Sequence, residues 1–328
     1  MKSKIQIIVS VILFTLLVIA FSACDGKHPK QYRIAVVSIV EIDAITQLRK
    51  GFRERFEGSA YAKQNSVVIT EYNAQGDTSI VSQIADKIAT EKPDLVYALG
   101  TLVAEAIQKR APDILIVQGA VTDPVAAGLA RSWDASGKRY IATSDLPPIP
   151  KQVQLIRDLT PSVSRLGLIY NPGEANSVAV VSRLREHISS KGLTLKLVER
   201  PIANSAEAAT AIQTLLGNVE AIYIPPDNTA HAAMPVICKF ARDNKVPLYA
   251  TVSGALAQGA FVTLSLDFFE LGKESADLAL SVIEGKDPAN MPIRTNENPT
   301  VSINANAAQS LGIDITAFQN KPGVQIVQ

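Results

Sequence analysis

The feature that most constrains the fold is a short unit that recurs along the chain: an apolar run, a polar corner and the start of a helix. In the clearest copy, residues 166–170 form an apolar run of strand length, Asn171-Pro172-Gly173 interrupts it, and a helical pattern follows from Glu174. The apolar runs 34–39, 115–121 and 221–224 begin similar units. Such alternation predicts an α/β fold of doubly wound parallel sheets with right-handed crossovers.

Small polar residues stand where these predicted strands end. Because the carboxyl ends of parallel strands meet at one edge of a sheet, the corners predict a single ligand crevice. Asp123 and Asp227 are candidates to pair with a ligand ammonium, and the backbone amides near Asn176 and Ser177 are candidates to bind its carboxylate. Thr101 marks another corner and is a candidate helix cap. The alternative is that Asp123 and Asp227 are only helix caps.

Composition excludes several classes of function. The chain has 32 basic and 31 acidic residues and no basic run longer than a pair, so it lacks the charge pattern of a nucleic-acid-binding protein. Two cysteines, at positions 24 and 238, and three histidines show no metal-ligand spacing. No nucleophile, phosphate-loop, zinc-protease or dinucleotide motif is present. We therefore expect a binding protein with no catalytic residues, metal or cofactor.

The first residues predict export and membrane attachment. Lys2 and Lys4 precede the apolar stretch 5–20, which is shorter than the roughly 20 residues of a spanning helix, and residues 1–23 form the predicted signal peptide. The tetrapeptide 21–24 resembles the lipobox of bacterial lipoproteins and implies a lipid on Cys24, followed by a tether at 24–31. Asp25 resembles the signal that retains lipoproteins on an inner membrane. The alternative is a plain secreted protein.

We expect two lobes. The predicted first lobe comprises residues 32–145 and about 253–290, and the second comprises 146–252 and about 291–313, with 314–328 as a surface tail. The stretch 140–150 contains three prolines near its end and is interpreted as a crossover between lobes. Hinge motion is expected at three crossovers near 144–150, 252–267 and 285–299.

Six stretches of sequence carry a resemblance to a known family. They are VSIVE (37–41), NAQGD (73–77), VTDPVAAGL (121–129), SDLPP (144–148), YNPGEANS (170–177) and PPDNT (225–229). Together they resemble the substrate-binding lipoproteins of ABC transporters in the group related to tryptophan and tyrosine uptake. The resemblance implies a type I periplasmic-binding-protein fold that closes on a small molecule, often an aromatic amino acid, and delivers it to a permease and its ATPase.

The same resemblance implies which residues face the ligand, namely Ser38, Glu41, Thr122, Asp123, Asn176, Ser177 and Asp227. With the other corners, the candidate ligand-binding set is Ser38, Glu41, Thr101, Thr122, Asp123, Asp145, Asn171, Asn176, Ser177, Asp227 and Asn228. Many relatives have a histidine after the glutamate of VSIVE, whereas this chain has Ile42. An apolar or branched amino acid is therefore the alternative to an aromatic ligand.

We expect a monomer that is anchored to the membrane by its lipid and lies outside the cytoplasm, on the periplasmic side of the inner membrane if the cell has two membranes. Two alternatives concern the role rather than the fold. One is a ligand-sensing protein that acts on a receptor or sensor kinase. The other is an importer subunit for a different small solute.

Overall fold

The computed structural model describes residues 31–137, 139–295 and 299–328, and it contains two α/β lobes. The strands are β1 (Tyr32–Ser38), β2 (Val67–Asn73), β3 (Leu95–Leu99), β4 (Leu115–Val121), β5 (Tyr140–Ser144), β6 (Arg165–Tyr170), β7 (Lys196–Pro201), β8 (Ala221–Ile224), β9 (Leu248–Ala250), β10 (Val262–Ser265), β11 (Arg294–Thr295), β12 (Thr300–Asn304) and β13 (Val324–Val327).

Helices connect most of these strands, as the alternating pattern predicts. The α-helices are α1 (Asp43–Glu57), α2 (Ala60–Gln64), α3 (Thr78–Glu91), α4 (Thr101–Arg110), α5 (Ile149–Leu159), α6 (Ala175–Ser190), α7 (Ala208–Leu215), α8 (Asn228–Ala232), α9 (Met234–Asp243), α10 (Gly254–Ala257), α11 (Phe268–Ile283) and α12 (Ala305–Leu311). Three short 3-10 helices, Ser205–Glu207, Pro288–Asn290 and Thr316–Phe318, complete the connections.

Each lobe is built on one sheet. The first sheet has the order β11-β5-β4-β3-β1-β2 and is parallel throughout. The second has the order β13-β12-β10-β9-β8-β6-β7, and its only antiparallel pair among the described residues is β10 with β12. All five residues of β3 are buried, because helices cover both faces of the sheet. The predicted α/β class with two doubly wound lobes is confirmed.

A close helix pair attaches α11 to the first lobe. A Cβ atom at Gly51 of α1 would lie 2.0 Å from the carbonyl oxygen of Phe269, and one at Gly272 of α11 would lie 2.2 Å from that of Leu48. These distances are too short for a non-bonded carbon–oxygen contact, so the close crossing of α1 and α11 requires glycine at both positions. The chain segment after β10 therefore packs against α1.

The lobes exchange chain at three short crossovers, and their positions differ from the sequence expectation. Residues 140–144 are the strand β5 of the first sheet, so the first crossover is confined to 145–148. Strand β10 lies in the second sheet, which places the second crossover at 266–267 and leaves residues 253–265 with the second lobe. Strand β11 pairs with β5, so residues 294–295 stay with the first lobe.

Two further segments depart from their predicted structure. Residues 314–328 are not a surface tail, because β13 pairs with β12 and the side chains of Val324 and Ile326 pack on the core of the second lobe. The helical segment expected after the apolar run 221–224 is divided into α8 and α9 at Ala233, two residues before Pro235. Proline is favoured in the first turn of a helix and disfavoured in its interior, which explains the division.

The predicted signal peptide, the tether and Cys24 lie outside the described residues, apart from residue 31. Within the described part of the chain, no helix is long and apolar enough to cross a membrane.

Candidate functional site

A crevice lies between the two lobes, where the carboxyl ends of the strands of both sheets meet. It has about 680 Å³ of space, part of it open to solvent. Its lining comes from the first lobe, the crossovers and the second lobe, and comprises Ile42, Ala44, Ile45, Leu48, Gly100, Thr101, Ala120, Thr122, Asp145, Pro147, Pro148, Asn176, Pro226, Asp227, Asn228, His231, Thr251, Val252, Leu264, Leu266, Phe268 and Pro299. None of these residues is Lys or Arg, so the charges that line the crevice are negative.

Asp145 is the carboxylate of the crevice that has the fewest protein partners. It follows β5 at the first crossover, and its Oδ1 accepts a hydrogen bond of 2.9 Å from the hydroxyl of Thr122. Among the described residues, no cationic side chain pairs with it. Burial raises the pKa of Asp145 to about 7. A carboxylate in this setting is stabilised by an incoming cation, because the described residues around it supply no positive charge.

A pair of carboxylates, Glu174 and Asp227, organises the opposite wall. Glu174 is buried and accepts hydrogen bonds from the backbone N–H groups of Asn228 (2.9 Å) and Thr229 (3.0 Å), and from both of their side chains. Asp227 caps α8 by accepting from the N–H of Ala230, at 2.7 Å. Burial, and then the nearby Glu174, raise the pKa of Asp227. These bonds hold the first turn of α8 against the start of α6.

Six of the predicted site residues are brought together at the crevice. They are Thr101, Thr122, Asp145, Asn176, Asp227 and Asn228. Thr101 is the first residue of α4, whose N-cap is Gly100, so it does not cap the helix as expected. Asp227 both lines the crevice and caps α8, so the binding and capping interpretations are not exclusive.

The other five predicted residues do not line the crevice, because their side chains are engaged elsewhere. Ser38 donates to the carbonyl of Tyr72, and Ser177 donates to the carbonyls of Asn171 and Glu174. The remaining contacts are Glu41 with Arg49, Asp123 with Arg183, and Asn171 with Thr229. These residues support the corners, and the contacts themselves were not evident from spacing in the sequence.

One of these contacts joins the two lobes. Asp123 follows β4 in the first lobe, and its Oδ2 lies 2.6 Å from a guanidinium nitrogen of Arg183, on α6 of the second lobe. The other oxygen of Asp123 accepts from the N–H of Ala126, at 2.9 Å. Residues 124–128 form turns rather than the helical segment expected after Pro124. This ion pair requires the lobes to be close together.

A bulge in β4 shapes the wall of the crevice near Asp145. The pairing of β4 with β5 shifts between Gln118 and Val121, and Ala120 has a φ of +53°. Such a φ is uncommon for a residue other than glycine and marks local strain. At Gly119 a Cβ would lie 2.4 Å from the hydroxyl oxygen of Tyr97, so only glycine fits there. The bulge places Ala120 on the surface of the crevice.

Three polar atoms on the second-lobe side of the crevice are buried without a hydrogen-bond partner among the described residues. They are Asn176 Oδ1, His231 Nε2 and Thr251 Oγ1. Burial lowers the pKa of His231 to about 4, so its imidazole is neutral at physiological pH. Sequence reasoning missed His231 and Thr251, whose only signal is their position shortly after strands β8 and β9.

An outer cleft adjoins the crevice. It is lined by Val40, Glu41, Ile42, Asp43, Ala44, His231, Ala232, Met234, Pro235, Val252, Gly254, Ala255 and Gln258. Four of these residues, Ile42, Ala44, His231 and Val252, also line the crevice and therefore form the wall between the two spaces. Within the described ranges, no group of three or more His, Cys, Asp or Glu side chains is arranged to hold a metal ion.

Comparison with known proteins gives a consistent family match. The model of the family described as ABC transporter substrate binding protein matches residues 33–318. A tyrosine-binding protein of Clostridioides difficile (strain R20291) is 34% identical over 296 residues, which cover 90% of this chain and 85% of that protein. The expected family resemblance is therefore confirmed.

Two solved structures bear on the arrangement of the lobes. A protein from Streptococcus pneumonia in complex with L-Trp is 26% identical, with a TM-score of 0.85, over 91% of this chain and all (100%) of that one. A ligand-free, open substrate-binding protein from Clostridium difficile is 31% identical, with a TM-score of 0.68, over 90% of this chain and 99% of that one. Despite its lower sequence identity, the structure in complex with L-Trp has the higher TM-score with this chain. This agrees with two lobes held close together by the Asp123–Arg183 ion pair.

Proposed function

This chain belongs to the ABC transporter substrate-binding protein family, and from that premise we propose that it captures an aromatic amino acid between its lobes and delivers it to an ABC importer. The family is one of substrate-binding proteins rather than enzymes, and its members act outside the cytoplasm. The names of the similar proteins, one tyrosine-binding and one in complex with L-Trp, support an amino-acid ligand of the aromatic class.

The observation that carries the proposal is the carboxylate of Asp145, which has no cationic partner among the described residues and lies in a crevice whose described lining contains no Lys or Arg. We assign the ligand ammonium to Asp145, which Thr122 orients through its hydrogen bond. A charge-assisted bond of this kind contributes about 1.5–3 kcal/mol. A dianion would be repelled by the carboxylates of Asp145 and Asp227, and an uncharged sugar would bring no positive charge to the carboxylate of Asp145.

The ligand carboxylate needs donors, and α4 supplies them. This helix of ten residues begins at Thr101 in the crevice, and the N–H groups of its first turn have no partner within the helix. We assign the carboxylate to this N-terminus and to the hydroxyl of Thr101, which the helix dipole also favours. Asn176, Asp227 and Asn228 would close over the ligand from the second lobe.

The apolar part of the crevice is suited to the ligand side chain. Ile42, Ile45 and Leu48 line it from α1 and its N-cap, and Leu266 and Phe268 line it from the second crossover and the start of α11. Apolar walls of this kind favour an aromatic or aliphatic side chain over a polar one. Ile42 also leaves open the alternative of a branched amino acid.

Calorimetry against the twenty amino acids tests this proposal. Micromolar or tighter binding of an aromatic amino acid, with no binding of aspartate or glutamate, is the expected result. If no amino acid binds while a purine, a sugar or another uncharged solute does, the zwitterion assignment is wrong. Uptake of the labelled ligand by cells with and without the gene then separates import from a sensing role, because a sensor would leave uptake unchanged.

Attachment to the membrane is part of the same proposal and rests on the sequence around Cys24. We expect the mature protein to begin at Cys24 and to carry acyl chains on its sulfur and amine, since stable anchoring needs more than one chain. Intact-mass measurement of the protein from native membranes should show this modification. Mature protein that begins elsewhere, without a lipid, would contradict it.

A further inference from the structure

We propose that His231 hydrogen-bonds to the polar atom on the ring of a bound aromatic amino acid, and so selects tyrosine or tryptophan over phenylalanine. The proposal rests on the proposed function and deepens it. The tyrosine hydroxyl and the tryptophan N–H share the required chemistry, a hydrogen-bonding group at the far end of a flat apolar side chain, and phenylalanine lacks it.

The burial of His231 is the first observation. Only 8% of the residue is exposed, and its Nε2 is buried with no hydrogen-bond partner among residues 31–137, 139–295 and 299–328. Buried polar atoms are nearly always paired, because one left unpaired in the closed protein loses its hydration without compensation. A ligand that supplies the missing hydrogen bond is therefore favoured over one that does not.

The position of His231 is the second observation. It belongs to the wall shared by the crevice and the outer cleft, and its companions there, Ile42, Ala44 and Val252, are apolar. The imidazole is thus the one polar side chain in a wall that otherwise suits a ring. The hydroxyl of Thr251, also unpaired and buried, lines the same crevice beside Val252. A second hydrogen-bonding group is therefore available to the same end of the ligand.

The surroundings of α8 hold the imidazole in place. The backbone N–H of His231 donates to the backbone carbonyl of Asp227 at 2.9 Å, and the side-chain carboxylates of Asp227 and Glu174 accept hydrogen bonds from the first turn of the helix. These bonds fix the backbone of the helix, and the burial of the His231 side chain limits its rotation away from the crevice, which is the pre-organisation that discrimination requires.

The chemistry of a neutral imidazole matches both ring groups. Nε2 either donates or accepts according to the tautomer, and a phenol hydroxyl can fulfil either role. The indole N–H only donates, so tryptophan requires the tautomer in which Nε2 accepts. Phenylalanine offers neither role and leaves Nε2 unpaired when the lobes close. Sites that hydrogen-bond to a ligand group reject the analogue that lacks it more strongly than apolar pockets reject a small change of size.

The test is calorimetry of L-tyrosine, L-tryptophan and L-phenylalanine on the native protein and two variants. His231→Leu removes both ring nitrogens at similar volume, and His231→Gln keeps a polar group near the place of Nε2. His187→Leu is the control, because His187 lies on α6 and does not line the crevice. Thermal unfolding of each variant checks that it is folded.

We expect the native protein to bind tyrosine or tryptophan at least about tenfold more tightly than phenylalanine. In His231→Leu the ratio of the two affinities should fall to about one, with little loss of phenylalanine binding. His231→Gln and His187→Leu should keep most of the preference for tyrosine or tryptophan. Equal native binding of phenylalanine and both polar aromatics, or an equal loss for all ligands in His231→Leu, would overturn the proposal. Failure of every amino acid to bind would instead overturn the proposed function.

Discussion

The ion pair between Asp123 and Arg183 predicts that closure of the lobes can be weakened without touching the ligand. Neither residue lines the crevice, and the side chain of Arg183 is 42% exposed while that of Asp123 is 6% exposed. A hydrogen bond between charged groups contributes about 1.5–3 kcal/mol, and an exposed ion pair about 0.2–1 kcal/mol. For a pair with one buried partner we expect about 1 kcal/mol, which corresponds to roughly a fivefold change in an equilibrium constant.

Arg183→Gln should therefore raise the Kd of every ligand by the same factor of roughly five, because a smaller fraction of the protein is closed when ligand is absent and the closed complex is less stable. Arg185→Gln is the matched control, since Arg185 lies on the same helix but pairs with Glu199 of its own lobe at 2.6 Å. The assay is calorimetry, with small-angle scattering to follow compaction on ligand binding. Equal effects of the two variants, or no effect of Arg183→Gln, would refute the reasoning.

Three further outcomes are expected. Gly51→Ala or Gly272→Ala should lower the free energy of unfolding by about 1–3 kcal/mol, because the added Cβ prevents the close approach of α1 and α11. Ser281→Ala, also on α11, is the control and should change this free energy by less than about 0.5 kcal/mol. Denaturant titration measures both. Ligand affinity should fall as pH drops from 8 to 6, because the raised pKa of Asp145, about 7, means that a bound ammonium must compete with a proton; calorimetry that finds no proton release near pH 7 would contradict this. Without ligand, the carboxyl group of Asp145 binds a proton below about pH 7 in the folded protein but only near pH 3.8 in the unfolded chain. Between these two pH values, acidification should therefore stabilise the native protein relative to Asp145→Asn. Thermal unfolding at a series of pH values measures this difference.

The strands of the fold could be predicted closely where an apolar run is buried on both faces. The apolar runs 115–121 and 221–224 were expected as strands and are β4 and β8 with the same bounds. Strand β5 was missed because its polar end, Thr143 and Ser144, comes shortly before three prolines, so the whole stretch 140–150 was interpreted as a crossover. Strand β13 was missed because four residues at a sheet edge give too short an alternation to distinguish from a tail.

The location of the site could be predicted, but the role of each residue could not. The rule that parallel strands end at one edge correctly brought together Thr101, Thr122 and Asp227. It could not show that Asp123 turns to Arg183, which is 60 residues away in the sequence, because the direction of a corner side chain depends on distant partners. His231 was missed for a related reason, since its place in the wall beside Ile42 and Val252 depends on how distant segments of the chain come together.

The most direct test of the account is the contribution of Asp145 to recognition of the ligand ammonium. Calorimetry should compare L-tyrosine with 3-(4-hydroxyphenyl)propionate, which lacks only the amine, on the native protein and on Asp145→Asn. The native protein should prefer the amino acid by about tenfold or more, and Asp145→Asn, which keeps an oxygen for the hydroxyl of Thr122, should lose most of that preference. Unchanged preference for the amine in Asp145→Asn would contradict the assignment of the ligand ammonium to this crevice carboxylate.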